Sequence, residues 1–133
     1  VKITIYQIVP ELDAVHLLFM DFHTVQTACG EQVPAWLYQT VYSGELEARS
    51  LEDLFYIFNM QHPEGYKGRS MSVSDVVEVH DPDTGSVFYY CEPVGFRQIE
   101  FDKNKISKSG DAQDSLQGDA AERIQDERAK TEL

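Results

Sequence analysis

Val76-Val-Glu-Val-His-Asp-Pro-Asp-Thr-Gly-Ser-Val-Phe-Tyr-Tyr-Cys91 is the stretch on which the fold turns. Its two ends are β-branched and aromatic, the residue types that fit a pleated, half-buried surface. Between them Asp81-Pro82-Asp83-Thr84-Gly85 concentrates turn formers, so residues 76–91 are predicted to be a β-hairpin. Just upstream, Ser70, Ser72 and Ser74 alternate with Met71 and Val73, and that alternation predicts an extended, half-buried lead-in. Downstream, Pro93 and Gly95 mark a second turn. Phe96, Gln98 and Glu100 then oppose Arg97, Ile99 and Phe101, giving an expected last strand over 96–101.

Toward the N-terminus, Lys2 to Val9 sets Ile3, Ile5 and Ile8 among polar residues and reads as a strand closed by Pro10. His16 to Met20 is a short apolar run read as a second strand. Asp21 then offers a cap for a shorter helix over 21–29 containing Phe22, Val25 and Cys29, with Gly30 at its end. Trp36 to Tyr42 reads as another strand, stopped at Ser43-Gly44. The clearest helix begins at Ser50, whose hydroxyl can cap free N–H groups while Asp53 reaches back toward it. Leu51, Leu54, Phe55 and Phe58 fall on one helical stripe, each contributing on the order of 1.5 to 3 kcal/mol if buried. His62-Pro63-Glu64-Gly65 ends the helix. The expected architecture is α+β: a mixed, mainly antiparallel sheet of about five strands with the main helix over 50–60 packed on one face and a shorter helix near 21–29.

Charge divides the 133-residue chain at Phe101. Residues 1–101 hold 15 Asp and Glu against Lys2, Arg49, Lys67, Arg69 and Arg97, a net −10 of the chain's −12. Residues 102–133 hold eight acids and six bases and few large apolar side chains, so they are expected to be a polar, largely disordered tail. A short helix over 119–130, capped by Asp119, is the exception expected within it. The acidic first unit repels phosphate backbones and anionic lipid heads, which argues against direct nucleic-acid binding. The longest apolar stretch, Ala14 to Met20, is far below the roughly 20 residues of a membrane span, and the start does not read as a signal peptide. A cytoplasmic location is expected. The absence of an initiator Met is read as trimming or excision from a longer protein.

Cys29 and Cys91 stand far apart with no second Cys beside either, so two buried free thiols are expected rather than a zinc or redox pair. His16, His23, His62 and His80 show no metal-ligand spacing. No metal, cofactor or catalytic residue is expected. Gly68 to Asp75 sets three hydroxyls, a cation and a carboxylate within a short run, yet it lacks the Gly-x-Ser-x-Gly and Ser-x-x-Lys spacings of activated serines. The favoured reading of that run is structural, with serines on the polar face of a strand, Asp75 capping a turn and Arg69 balancing nearby acids. If the region binds anything, the candidate residues are His62, Tyr66, Arg69, Ser70, Ser72, Ser74 and Asp75. Abundant tyrosine suits a protein interface. Tyr89 and Tyr90, adjacent on a strand, must face opposite ways.

Four blocks carry a family likeness: I-T-I-Y-Q at 3–7, V-Y-S-G-E-L at 41–46, L-E-D-L-F-Y-I-F-N at 51–59 and H-P-E-G-Y-K-G-R-S-M-S-V-S-D-V-V at 62–77. Together they resemble the YodL-like domain of bacterial proteins over most of residues 1–101. The last block is the most specific, and Asp21 to Leu37 matches loosely. The resemblance brings no catalytic residues with it. It implies a context, namely bacterial proteins encoded on plasmids and conjugative elements and joined to other modules.

The expected function is thus a non-catalytic protein-binding or regulatory module whose partner is another protein. Two alternatives stand beside it. The carboxylates of residues 1–101 could imitate DNA phosphates and inhibit a defence or DNA-binding protein, or a small enzyme could act through residues 62–75.

Overall fold

The computed structural model describes residues 1–30 and 32–107. Lys2–Ile8 (β1), Tyr38–Glu45 (β2), Val76–Asp81 (β3), Gly85–Cys91 (β4) and Phe96–Ile99 (β5) form one sheet in the order β2-β1-β3-β4-β5. Two helices, Phe22–Cys29 (α1) and Leu51–Tyr56 (α2), complete an α+β fold. Every neighbouring strand pair is antiparallel, so the expected mixture of directions is absent from the sheet. The hairpin read from residues 76–91 is β3 and β4, in register from Val76↔Tyr90 to Asp81↔Gly85. The Asp81 carboxylate closes its turn by accepting the N–H groups of Asp83 and Thr84 at 2.8 and 3.2 Å. Gly85 follows at φ 89°, a region open to glycine and strained for other residues.

The two helices cover opposite faces of the sheet. On one face Ile3, Ile5, Val41 and Val77 pack against Leu54 and Phe58 of the α2 segment and against Met71. On the other, Tyr6, Ile8, Val76 and Tyr90 pack against Leu17, Phe22, Val25 and Leu37. This double cover buries β1 continuously from Ile3 to Ile8, as the β-branched content of the segment permits. It also accounts for the adjacent tyrosines: Tyr90 is buried under α1, while Tyr89, on the α2 face, is half-buried.

Several local expectations are corrected. His16 to Met20 is not a strand, because the Asp13 carboxylate takes the N–H groups of Leu17 and Leu18, each at 2.8 Å, and withdraws them from any ladder. His16 and Phe19 adopt φ values of 61° and 70° there, and only Leu17 of the run is buried. Trp36 lies in a 3-10 turn, and β2 starts at Tyr38 and runs on through Gly44, which pairs with Ile3. A side chain at 44 would meet the Tyr42 ring, so glycine lets the strand continue. The helix capped by Ser50 is α only to Tyr56 and then widens into a π turn over Ile57–Gln61. Leu54 and Phe58 stay buried and Phe55 is left at the rim, 40% exposed. Cys91 is buried as expected, but Cys29 is exposed in the last turn of α1.

The Ser70–Ser74 alternation does not make a strand, since β3 begins only at Val76. Asp75 folds the segment instead: its N–H donates to the Ser72 carbonyl at 3.1 Å and its carboxylate accepts the Ser72 N–H at 2.9 Å. Ser74 is fully buried at φ 87°. β5 ends at Ile99, and Phe101 turns into the core against Tyr6, Tyr38 and Phe88. After Phe101, Lys103–Lys105 forms a 3-10 turn and Ser107 donates its N–H to the Tyr38 carbonyl at 2.8 Å. The helix expected over 119–130 lies outside the described residues.

Candidate functional site

All three longer connections of the sheet gather at one end. The registers Ile8↔Tyr38, Tyr6↔Val76, Val76↔Tyr90 and Cys91↔Phe96 set the end of β1, the start of β2, the start of β3, the end of β4 and the start of β5 side by side. Residues 9–37, 62–75 and 92–95 therefore meet there, and hydrogen bonds join them. Ser74 Oγ accepts the Phe19 N–H at 3.1 Å, Tyr90 donates its hydroxyl to the Met20 carbonyl at 2.6 Å, and Glu92 accepts the Phe22 N–H at 3.0 Å.

Beneath this end lies a buried polar network centred on Gln7 and Asp75. Gln7 Nε2 donates toward Asp75 Oδ2 and the Arg69 carbonyl, both at 2.9 Å, and toward Tyr66 Oη at 3.1 Å. Its Oε1 accepts the Arg69 N–H at 3.1 Å. Tyr66 in turn donates its hydroxyl to the Arg69 carbonyl. Gly68 passes so close that a Cβ there would strike Gln7 Oε1 and the Val41 side chain. One carboxamide on β1 thus staples the whole 66–75 segment to the sheet.

Burial pushes the Asp75 carboxyl up to about 7, although the Ser72 N–H, Gln7 and the Arg69 charge all pull it down. Its Oδ1 has no hydrogen-bond partner among the described residues, and neither has Arg69 Nε. Arg69 instead donates from a guanidinium nitrogen to the Ile8 carbonyl at 3.0 Å and lies 5.7 Å from the centroid of the Phe19 ring. Tyr38 donates to the Ser74 carbonyl at 2.7 Å. Burial, and then the Asp75 and Glu92 charges, raise the Cys91 thiol to about 12, far from the reactive thiolate range.

Of the residues singled out from sequence, Tyr66, Arg69, Ser72, Ser74 and Asp75 meet in or beside this network. His62 touches it only through its ring, 5.8 Å from that of Tyr66, and is exposed. Ser70 is exposed and offers its carbonyl to the Ser72 hydroxyl at 3.2 Å. A carboxyl titrating near neutrality is what acid–base chemistry asks for, but Asp75 is fully buried. The two clefts that flank α2, of about 240 and 210 Å³, contain none of His62, Arg69, Ser72, Ser74 or Asp75. What the network does chemically is hold a loop in place.

Gln7 and a second buried carboxylate, Glu78, escaped the sequence reading. Glu78 is fully buried on the α1 face of β3. Tyr6 donates to its Oε1 at 2.6 Å, and its Oε2 accepts from the Ser86 hydroxyl and from Lys103 Nζ, the latter at 2.8 Å. Burial alone would raise its pKa, but the bonds from Lys103, Ser86 and Tyr6 together outweigh it and hold Glu78 below the ordinary glutamate value. Such a group stabilises the fold above its unfolded pKa, and that contribution is lost as pH falls through the folded value. Lys103→Ala is expected to cost about 1 to 2 kcal/mol near neutrality, less than a fully buried pair because Lys103 is half exposed, and to bring acid unfolding to higher pH. Urea titrations at about pH 7 and at about pH 3.5, below the ordinary glutamate value, check both effects. The signal available in sequence was a Glu between Val77 and Val79 on a strand whose neighbours read as buried.

Two of the carboxylates, Asp75 and Glu78, are buried, and others are held at the surface by local hydrogen bonds. Asp13, Asp21, Asp53, Asp75, Glu78, Asp81 and Glu92 all accept hydrogen bonds from the chain's own donors. Among the described residues no three His, Cys, Asp or Glu side chains converge as a metal ion would require. No helix among them is long and apolar enough to cross a membrane.

Fold and network together define a class: an antiparallel α+β domain whose long loop before β3 is pinned to β1 by a carboxamide and a buried carboxylate. The model of the YodL-like domain matches residues 2–101, and the chain belongs to that family. No curated protein and no solved structure matches it.

Proposed function

We propose that the chain is a non-catalytic protein-binding or regulatory module of a bacterial, mobile-element-associated protein, working in the cytoplasm on another protein. One observation carries the reading. Val15, Phe19, Met20, Trp36 and Val94 are 53, 53, 41, 56 and 91% exposed, and all lie in the connections gathered at one end of the sheet. Large apolar side chains held in water by a rigid scaffold are the common signature of a partner surface. Arg69, stacked over Phe19 and anchored on β1, adds a residue type enriched at such contacts. The burial of Asp75 and Glu78 takes two carboxylates away from any imitation of DNA phosphates, and the burial of Asp75 together with the absence of His62, Arg69, Ser72, Ser74 and Asp75 from both clefts counts against the enzymatic alternative.

The test is capture from a lysate of the source organism with the whole chain as bait. A double variant, Met20→Ser with Trp36→Ser, is expected to keep its melting temperature within a few degrees, since both side chains are exposed, and to lose the captured protein. No captured protein, or undiminished capture by the variant, would sink the reading.

A further inference from the structure

A second surface lies away from the loop end. α2 rests on β1, β2 and β3, through contacts of Leu54 and Phe58 with Ile3, Ile5, Val41 and Val77. The registers Val77↔Tyr89, Tyr89↔Gln98 and Cys91↔Phe96 place Tyr89, Cys91, Phe96 and Gln98 on the same face, beyond the helix. Two separate clefts flank the helix on this side, one near Leu51 and Tyr89 and the other, of about 210 Å³, toward the β4–β5 turn.

The second cleft has a definite chemistry. Phe55, Val73, Pro93 and Phe96 make its apolar walls, and Glu52 and Glu92 are also among its lining residues, with no Lys or Arg among them. Glu92 uses Oε1 to hold the Phe22 N–H. Val94, 91% exposed, stands between the lining residues Pro93 and Gly95. The volume is below the roughly 300 to 1,000 Å³ of pockets for drug-sized ligands, and suits a single large side chain.

We infer that this cleft receives one apolar side chain of a peptide segment whose neighbouring residues are Lys or Arg. The apolar walls supply the anchor, and Glu52, exposed at the rim, selects the flanking cations. The net −10 of residues 1–101 raises the local concentration of basic segments and disfavours acidic ones. The inference rests on the reading of the chain as a binding module, but not on the loop-end surface, and it names the chemistry of the segment bound.

The experiment titrates the isotopically labelled full chain with three synthetic pentapeptides, Lys-Arg-Phe-Arg-Lys, Glu-Glu-Phe-Glu-Glu and Lys-Arg-Gly-Arg-Lys, following backbone amide shifts at low salt. The first is expected to move the amides of Phe55, Val73 and residues 92–96, and to bind at least about tenfold tighter than either control. Glu52→Lys, an exposed site, is expected to weaken it several-fold without changing the melting temperature. Equal binding of the glycine peptide would reduce the effect to unspecific charge and overturn the inference. So would equal binding of the acidic peptide, shifts confined to the Phe19 and Trp36 end, or no shift at millimolar peptide. In each of those cases capture through Met20 and Trp36 stands or falls separately.

Discussion

Asp75→Asn is expected to flatten the pH dependence of stability between about pH 5 and pH 8, and to leave the protein about 2 to 4 kcal/mol more stable than the parent at the upper end. The sign follows from where the proton sits. Burial raises the folded carboxyl to about 7, against an ordinary value of 3.8. Between those values the folded chain holds a proton that the unfolded chain has released, so stability falls as pH rises toward 7 and levels off beyond it. A tenfold difference in proton affinity between the folded and unfolded chains corresponds to about 1.4 kcal/mol. Asparagine removes the titration while its carbonyl can still accept from Gln7 Nε2 and the Ser72 N–H, as Asp75 Oδ2 does. Its amide replaces Oδ1, which has no partner to lose. Denaturant titrations of both proteins across that pH range give the answer, and a variant with the parent's slope would show that Asp75 is ionised in the fold. Below about pH 4.5 the parent should weaken again, because Glu78, Asp21 and Asp81, all held below their ordinary values, then lose their charge.

Gln7→Leu is expected to destabilise the protein by about 3 to 5 kcal/mol, well beyond the typical cost of a point substitution. The two side chains are similar in size, so the effect is polar rather than steric. Leucine removes the donor to Asp75 and to the Arg69 carbonyl and the acceptor of the Arg69 N–H at once. Buried groups left unsatisfied cost about 1 to 3 kcal/mol each. The 66–75 segment should loosen before the sheet does, and amide exchange reports this directly: protection at Tyr66 to Asp75 should fall by more than at β3 or β4. Loss of protection spread evenly over the sheet, or a loss of stability below about 1 kcal/mol, would mean that the staple is not what holds the loop.

Asp75 and its carboxamide partner Gln7 show why the site was only half legible beforehand. Asp75 stood out because it closes a run of hydroxyls and a cation, and a turn at that point could be argued from neighbouring residues. Gln7 could not stand out. It sits on β1 among Ile5, Tyr6 and Ile8, and its meaning comes from Tyr66, Arg69 and Asp75, which lie some sixty residues further on. The serines misled for a related reason. Their spacing matched a strand, but the Asp75 carboxylate offers the Ser72 N–H a closer partner than any neighbouring strand does, and local side-chain bonds of this kind displace ladders. Asp13 overrode the apolar run 16–20 in the same way.

From its sequence alone this chain specified what local rules specify: the hairpin over 76–91 from its turn and its β-branched arms, the capped start of α2 from Ser50 and Asp53, the first strand, and an acidity concentrated before residue 102. Those features depend on neighbours within a few positions, where turn chemistry, capping and periodicity act. Only the tertiary structure decided the strand order, the placing of α1 and α2 on opposite faces, the break of α2 into a π turn, and the burial of Gln7, Asp75 and Glu78 in two polar networks. Each of these depends on pairing between distant segments, and on how much water that pairing excludes. The exclusion of water is what turns Asp75, an ordinary surface-type residue in the sequence, into a group that titrates near neutrality.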